Sequence, residues 1–169
     1  MIYKIVTGGQ TGVDRAALDV ALESDVACGG WCPKGRTAED GPIDAKYPLV
    51  ETPTSSLSQR TEWNVRDSDA TLVLTWGPVM GGTLKTVAIA ARLKKNCLVL
   101  DMKEQPKGKV VEDWIEKINA HVLNIAGPRA SEVPEAYAEA KAFLLPLFMS
   151  EDDEEEIDLT VDPALPRSD

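Results

Sequence analysis

"TGGQTGVDRAALDVALE", residues 7–23, decides the fold: an apolar run before it, a glycine-rich turn within it, and helical periodicity after it. Ile2, Tyr3, Ile5 and Val6 have the look of a strand, and Val13, Ala16, Ala17, Val20 and Ala21 recur at the spacing of one helix face. A strand, a glycine turn and a helix follow in that order. Such a turn leaves N–H groups unpaired at the positive end of the helix dipole, where an anion gains roughly 0.3–1 kcal/mol before side chains contribute. Two readings are open. Gly8, Gly9 and Gly12 either seat a phosphate or only permit a tight turn and close helix packing. The motif is neither G-x-G-x-x-G nor a Walker A loop, because no Lys follows the last glycine. Arg15 is the nearest cation, placed to grip a phosphate or to pair with a surface carboxylate.

The arrangement recurs. "ATLVLTW" (70–76) leads into "GPVMGGTLKT" and a helix on which Leu84, Val87, Ala88 and Ala91 share a face. "HVLNI" (121–125) leads into "AGPRAS" and a helix carrying Ala136, Tyr137, Ala140, Phe143, Leu144 and Leu147. With Cys97–Leu100 as a further strand and Val110–Ile118 as a further helix, strands and helices alternate over most of the chain. The expected fold is a single-domain α/β, Rossmann-like open parallel sheet with helices on both faces. Ligands bind such sheets beyond the carboxyl ends of the strands, so the three glycine loops should converge on one edge. There Gly81, Gly82 and Thr83 form a second candidate wall, and Arg129 and Ser131 a third. Residues 29–54 break the alternation with four prolines and four glycines. They read as a lid bringing in Lys34 and Arg36, or as a structural excursion.

The chain has 169 residues, enough to bury roughly two thirds of its unfolded surface without a disulfide or metal staple. Its charge of −10 is unevenly spread: residues 150–169 hold nine acids and one base, while residues 1–149 hold 19 acids and 17 bases. The reading is a ligand-binding domain over 1–149 and an acidic C-terminal tail over 150–169. No basic stripe with interleaved aromatics points to nucleic acid, and no apolar stretch is long enough for a membrane span. Without a leader-like segment, the expected location is cytoplasmic. Cys28, Cys32 and Cys97 are an odd set, read as reduced thiols without a metal. His121 reads as structural, Trp63 and Trp114 as core, and Trp31 and Trp76 as rim or stacking residues. Asp14, Glu39, Asp40, Asp69 and Asp101 are available acids, none distinguished by spacing.

Five blocks together, "TGGQTGVDRAALD" (7–19), "GWCPKGRTAEDGPI" (30–43), "RTEWNVRDSDATLVL" (60–74), "GGTLKT" (81–86) and "NIAGPRAS" (124–131), resemble the bacterial molybdenum cofactor carrier-like proteins. Their wider Rossmann-like superfamily includes the lysine-decarboxylase-like phosphoribohydrolases. The resemblance implies a carrier for the molybdenum cofactor (molybdopterin) or a related phosphorylated pterin or nucleotide. The phosphate would be held by Gly8, Gly9, Gln10, Thr11 and Gly12 with Arg15, beside Gly81, Gly82 and Thr83, and closed by Arg129, Ser131, Lys34 and Arg36. A homo-oligomer and a molybdoenzyme partner are compatible with that role. Where the hydrolases carry the Glu of P-G-G-x-G-T-x-x-E, this chain has Thr86, which has no carboxylate to stabilise a cationic sugar or activate water. The alternatives are an N-glycosidase using Asp14, Glu39 or Asp40, and a ligand-gated interaction protein using the acidic tail.

Overall fold

The computed structural model describes residues 1–149, so the acidic tail lies outside the described residues. Five strands, β1 (Lys4–Val6), β2 (Ala27–Gly29), β7 (Ala70–Thr75), β8 (Asn96–Asp101) and β9 (Val122–Ala126), form one all-parallel sheet in the order β2-β1-β9-β7-β8. The last strand in sequence thus sits at the centre. If β9 and the helix after it were moved ahead of β1, the order would read 3-2-1-4-5, that of a doubly wound Rossmann sheet. The molecule has Rossmann geometry with the chain opened at a different point. The place where strand order reverses is therefore the junction of β9 and β7.

Helices cover both faces. On one, α1 (Val13–Glu23), α4 (Gly108–Ile118) and α5 (Ala136–Phe148) enclose a core in which Ile5, Val13, Ala16, Val20, Leu72, Leu74, Val111, Leu123, Ile125 and Leu144 are buried. β7 is buried at every position, as expected for a central strand covered on both sides. On the other face, α2 (Leu57–Arg66) packs against α3 (Gly81–Arg92). The α3 face expected from its apolar spacing is not the buried one. Thr83, Thr86 and Ala90 point inward, while Leu84 is 51% exposed. The first turns of α3 border a cavity into which several polar side chains project, and there the inward positions are the hydroxyl-bearing ones.

The segment with no clear period forms short strands, β3 (Trp31–Cys32), β4 (Thr37–Ala38), β5 (Gly41–Pro42) and β6 (Val50–Glu51), in two small sheets. Ile43, Tyr47 and Leu49 from this segment pack with Cys32 on Leu18, on the side of α1 turned from the main core. Arg36, expected at the ligand, donates instead to the carbonyls of Ile43, Leu49, Asp44 and Tyr47. Its guanidinium organises the loop from within. Tyr47 and Tyr137 both donate to Asp19 at 2.5 Å, joining this loop and α5 to α1. At the opposite end of the sheet, Asp69 accepts the N–H groups of His121 and Val122, and the imidazole stacks on Tyr3 at 5.9 Å.

Candidate functional site

At the carboxyl ends of β1 and β9, between α2 and the first turns of α3, lies a cavity of about 220 Å³. β9 contributes Asn124, Ile125 and Ala126 to it, and α2 contributes Leu57, Ser58, Arg60, Thr61 and Asn64. The cavity adjoins the point where strand order reverses, as Rossmann topology requires.

The opening glycine loop and the α3 loop reach this cavity in different states. In the first, four backbone donors are already engaged. Gly9 N–H donates to Thr7 Oγ1 at 3.1 Å, Gln10 N–H to Asp14 Oδ2 at 3.3 Å, Thr11 N–H to Gln10 Oε1 at 3.0 Å and Val13 N–H to the Pro128 carbonyl at 3.3 Å. The chain supplies its own anion to the start of α1, the Asp14 carboxylate. Burial raises the Asp14 pKa to about 6, against the opposing pull of Arg60, the Gln10 N–H and Arg15.

The glycines here serve close packing. Gly12 has φ of 78°, and a Cβ on it would lie 2.3 Å from the Pro128 carbonyl oxygen; one on Gly9 would lie 2.5 Å from Leu49 Cδ1. Thr11 donates to Glu39 and accepts the Ala130 N–H at 3.0 Å. Glu39 also accepts from the Ser131 hydroxyl at 2.6 Å, and the Ser131 and Thr11 hydroxyls hold its carboxyl below the usual range. Arg15 pairs with Asp40 at 3.0 Å and donates to the Gly9 carbonyl.

The start of α3 is open. Met80 provides no side-chain cap, Gly81 has φ of 56°, and nothing lies within 4 Å of a Cβ built on Gly82. Thr83 is 7% exposed and lines the cavity, its hydroxyl without a hydrogen-bond partner among the described residues. Thr86 also lines the cavity and donates to the Gly82 carbonyl at 3.1 Å. Three cations stand around this opening: Arg60, Lys85 and Arg129. Arg60 donates to the Gly8 carbonyl at 3.1 Å, and Arg129 Nε lies 3.4 Å from Glu132 and 3.7 Å from Glu39.

Of the residues expected at the ligand, Gly8, Gln10, Gly82, Thr83 and Arg129 line the cavity together. Gly81 begins the helix beside it. Gly9, Thr11, Gly12, Arg15, Arg36 and Ser131 are held in packing or internal hydrogen bonds away from its lining, and Lys34 is exposed on the long loop. Trp31 and Trp76 also stay outside it: Trp31 donates to Asp67 and packs edge-on against Trp63 at 4.7 Å, and Trp76 donates to Glu139.

The sequence did not single out Arg60, Asn64, Lys85 or Asn124 as residues of this cavity. A signal was present in α2: Leu57, Arg60, Thr61 and Asn64 follow the i, i+3, i+4, i+7 spacing of one helix face, and that face is mostly polar. Asn64 accepts the Trp31 N–H at 2.7 Å and donates to the Trp31 carbonyl at 2.9 Å, holding the long loop against α2.

A parallel sheet with a displaced central strand and a cavity at its reversal point defines a permuted Rossmann-like binding domain. The chain belongs to the circularly permutated YpsA SLOG family, whose model matches residues 5–148. Among solved structures it is similar to a protein of Syntrophus aciditrophicus SB named "Putative molybdenum carrier protein". The two are 44% identical with a TM-score of 0.84, over 88% of this chain and 96% of that one. No curated protein matches the chain. Among the described residues no helix is long and apolar enough to cross a membrane, and no group of three or more His, Cys, Asp or Glu could hold a metal ion.

Proposed function

We propose that the protein binds and carries a small phosphorylated ligand, a pterin of the molybdenum cofactor class or a related nucleotide, with the phosphate at the start of α3. One observation supports this reading above the rest. Uncapped N–H groups and the unpartnered hydroxyl of the largely buried Thr83 open onto a cavity bordered by Arg60, Lys85 and Arg129. Each hydrogen bond to an ionised phosphate contributes roughly 1.5–3 kcal/mol, so a few such donors suffice in a body of nearly balanced charge. At about 220 Å³ the cavity is below the roughly 300–1,000 Å³ of sites that enclose a whole drug-sized ligand. It fits the phosphate and part of the ligand, the remainder lying in the open mouth. The name of the Syntrophus relative is in keeping with a carrier role.

Native mass spectrometry of gently purified protein, with fluorescence of whatever is released, tests the reading. A fluorescent phosphorylated pterin supports the carrier; a nucleotide redirects the ligand. Titration calorimetry with neopterin monophosphate should show binding that weakens about tenfold or more in Thr83→Val combined with Arg129→Ala. Unchanged affinity in that variant would refute the phosphate seat.

A second reading, hydrolysis of a nucleotide N-glycosidic bond, is favoured by Asp14, a cavity carboxyl with a pKa of about 6, the range suited to a general acid or base. The carrier reading expects no base released from nucleoside monophosphates at high protein concentration. Release that disappears in Asp14→Asn would establish the hydrolase instead.

A further inference from the structure

The cavity has a second chemical character that a phosphate does not use. Asp14 is 8% exposed and Asn124 3%, and both line it. Asn124 donates through Nδ2 to Thr71 Oγ1 at 3.2 Å, which leaves its Oδ1 as an acceptor without a partner among the described residues. Asp14 accepts the Gln10 main-chain N–H on one oxygen at 3.3 Å, is also stabilised by the Gly8 N–H, and pairs with no side chain. Arg60 is the nearest cation by its electrostatic effect, yet it is not within salt-bridge distance and directs a donor to the Gly8 carbonyl. Both acceptors open onto the cavity rather than being sealed in the core, so a ligand donor there can replace water.

Their place in the sheet separates them from the phosphate seat. Asp14 follows β1 and Thr83 follows β7, with β9 between these strands. Two strand spacings amount to roughly 9–10 Å, about the reach from a phosphate across a sugar or side chain to a ring. The ligand should therefore be anionic at one end and rich in hydrogen-bond donors at the other.

We propose that Asp14, in the cavity that Asn124 also lines, reads the donor edge of a fused pyrimidine that carries a ring N–H next to an exocyclic amino group, the edge shared by guanine and pterin. Two adjacent N–H donors match two carboxylate oxygens just as the guanidinium fork of an arginine does. A ring without the amino group leaves one buried acceptor unmet, and sites of this kind discriminate strongly against the poorer donor. This specificity rests on the phosphate seat at α3, and the two can fail separately.

The test is titration calorimetry with GMP, IMP, neopterin monophosphate and inorganic phosphate. IMP keeps the ring N–H and the phosphate but lacks the amino group. GMP, neopterin monophosphate or both should bind at least tenfold more tightly than IMP, and whichever does so identifies a nucleotide or a pterin as the source of the edge. The preference over IMP should fall to about one in Asp14→Asn. It should also rise with pH between 5 and 7.5 as Asp14 ionises, because the phosphate is common to the ligands and cancels in the ratio. The other charged groups facing this carboxyl, Arg60 from α2, Arg15 from α1, Lys85 from α3 and Arg129 and Glu132 from the loop after β9, are common to both titrations. Equal binding of all three organic phosphates by the unmodified protein would overturn the specificity while leaving the phosphate seat standing. No binding of any of them, with none of inorganic phosphate, would overturn both. The comparison within the unmodified protein decides the matter even if Asp14→Asn does not fold.

Discussion

The starts of α1 and α3 look alike in sequence, each a glycine-rich turn between a strand and a helix, but they differ in what meets their N–H groups. At α1 the turn is closed by residues from near and far: Thr7 and Gln10 from the loop, Asp14 from the first turn of α1, Glu39 from the long segment, and Pro128 and Ala130 from the loop after β9. At α3 no side chain caps the helix, and Thr83 faces the cavity. Glycine enrichment marks both places where backbone must come close to something. In the first that partner is the protein itself, and in the second there is room for a ligand.

Substituting the glycines should separate the two turns most sharply. Gly12→Ala forces a Cβ against the Pro128 carbonyl in a left-handed conformation and should destabilise by roughly 3 kcal/mol or more, measured by urea denaturation. Gly82→Ala meets nothing and should raise stability by about 0.5–1 kcal/mol. Similar stability losses for both would erase the contrast.

Asp14 provides the next largest effect, through pH. Its folded pKa is raised above the unfolded value, so the native state binds more protons between about pH 4 and 6. The resulting stabilisation is fully present below pH 4 and lost as pH rises through 6, up to roughly 2–3 kcal/mol. Glu39, Asp40 and Asp69 are depressed, and their contributions run the opposite way, lost as pH falls into the acid range. The difference between wild type and Asp14→Asn isolates the Asp14 part: denaturation should show the variant gaining on wild type from pH 4 to 7. A difference independent of pH would mean that this carboxyl does not titrate as a buried group.

For the cations the contrast lies in affinity. Arg129→Ala should weaken inorganic phosphate binding by about tenfold, whereas Arg15→Ala should leave it within about twofold, because Arg129 lines the cavity while Arg15 lies outside it, paired with Asp40. Calorimetry reads both. The smallest expected effect is that of Lys34→Ala, an exposed side chain outside the cavity, with neither affinity nor melting temperature measurably changed.

Much of the architecture was open to reading from the residues alone. The helical spacing of Val13, Ala16, Ala17 and Val20, the apolar run 70–75 and the glycine loops after successive strands are local patterns, and local patterns specify strand, turn and helix because burial of one face follows the period. The five sequence blocks carried the family in the same way. Strand order was different: nothing local announces that 122–126 inserts between β1 and β7, since that pairing joins residues more than a hundred positions apart. The site divided along the same line. Gly82, Thr83 and Arg129, which line the candidate cavity, stood out in the sequence because glycine, hydroxyl and guanidinium at a strand-to-helix turn suggest anion chemistry. That Thr11 is held by Glu39 and Ala130, that Arg36 turns inward on its own loop, and that α2 brings Arg60 and Asn64 to the cavity were decided only by tertiary structure. A backbone donor is available to a ligand only when no other part of the chain reaches it, and that depends on how distant segments pack.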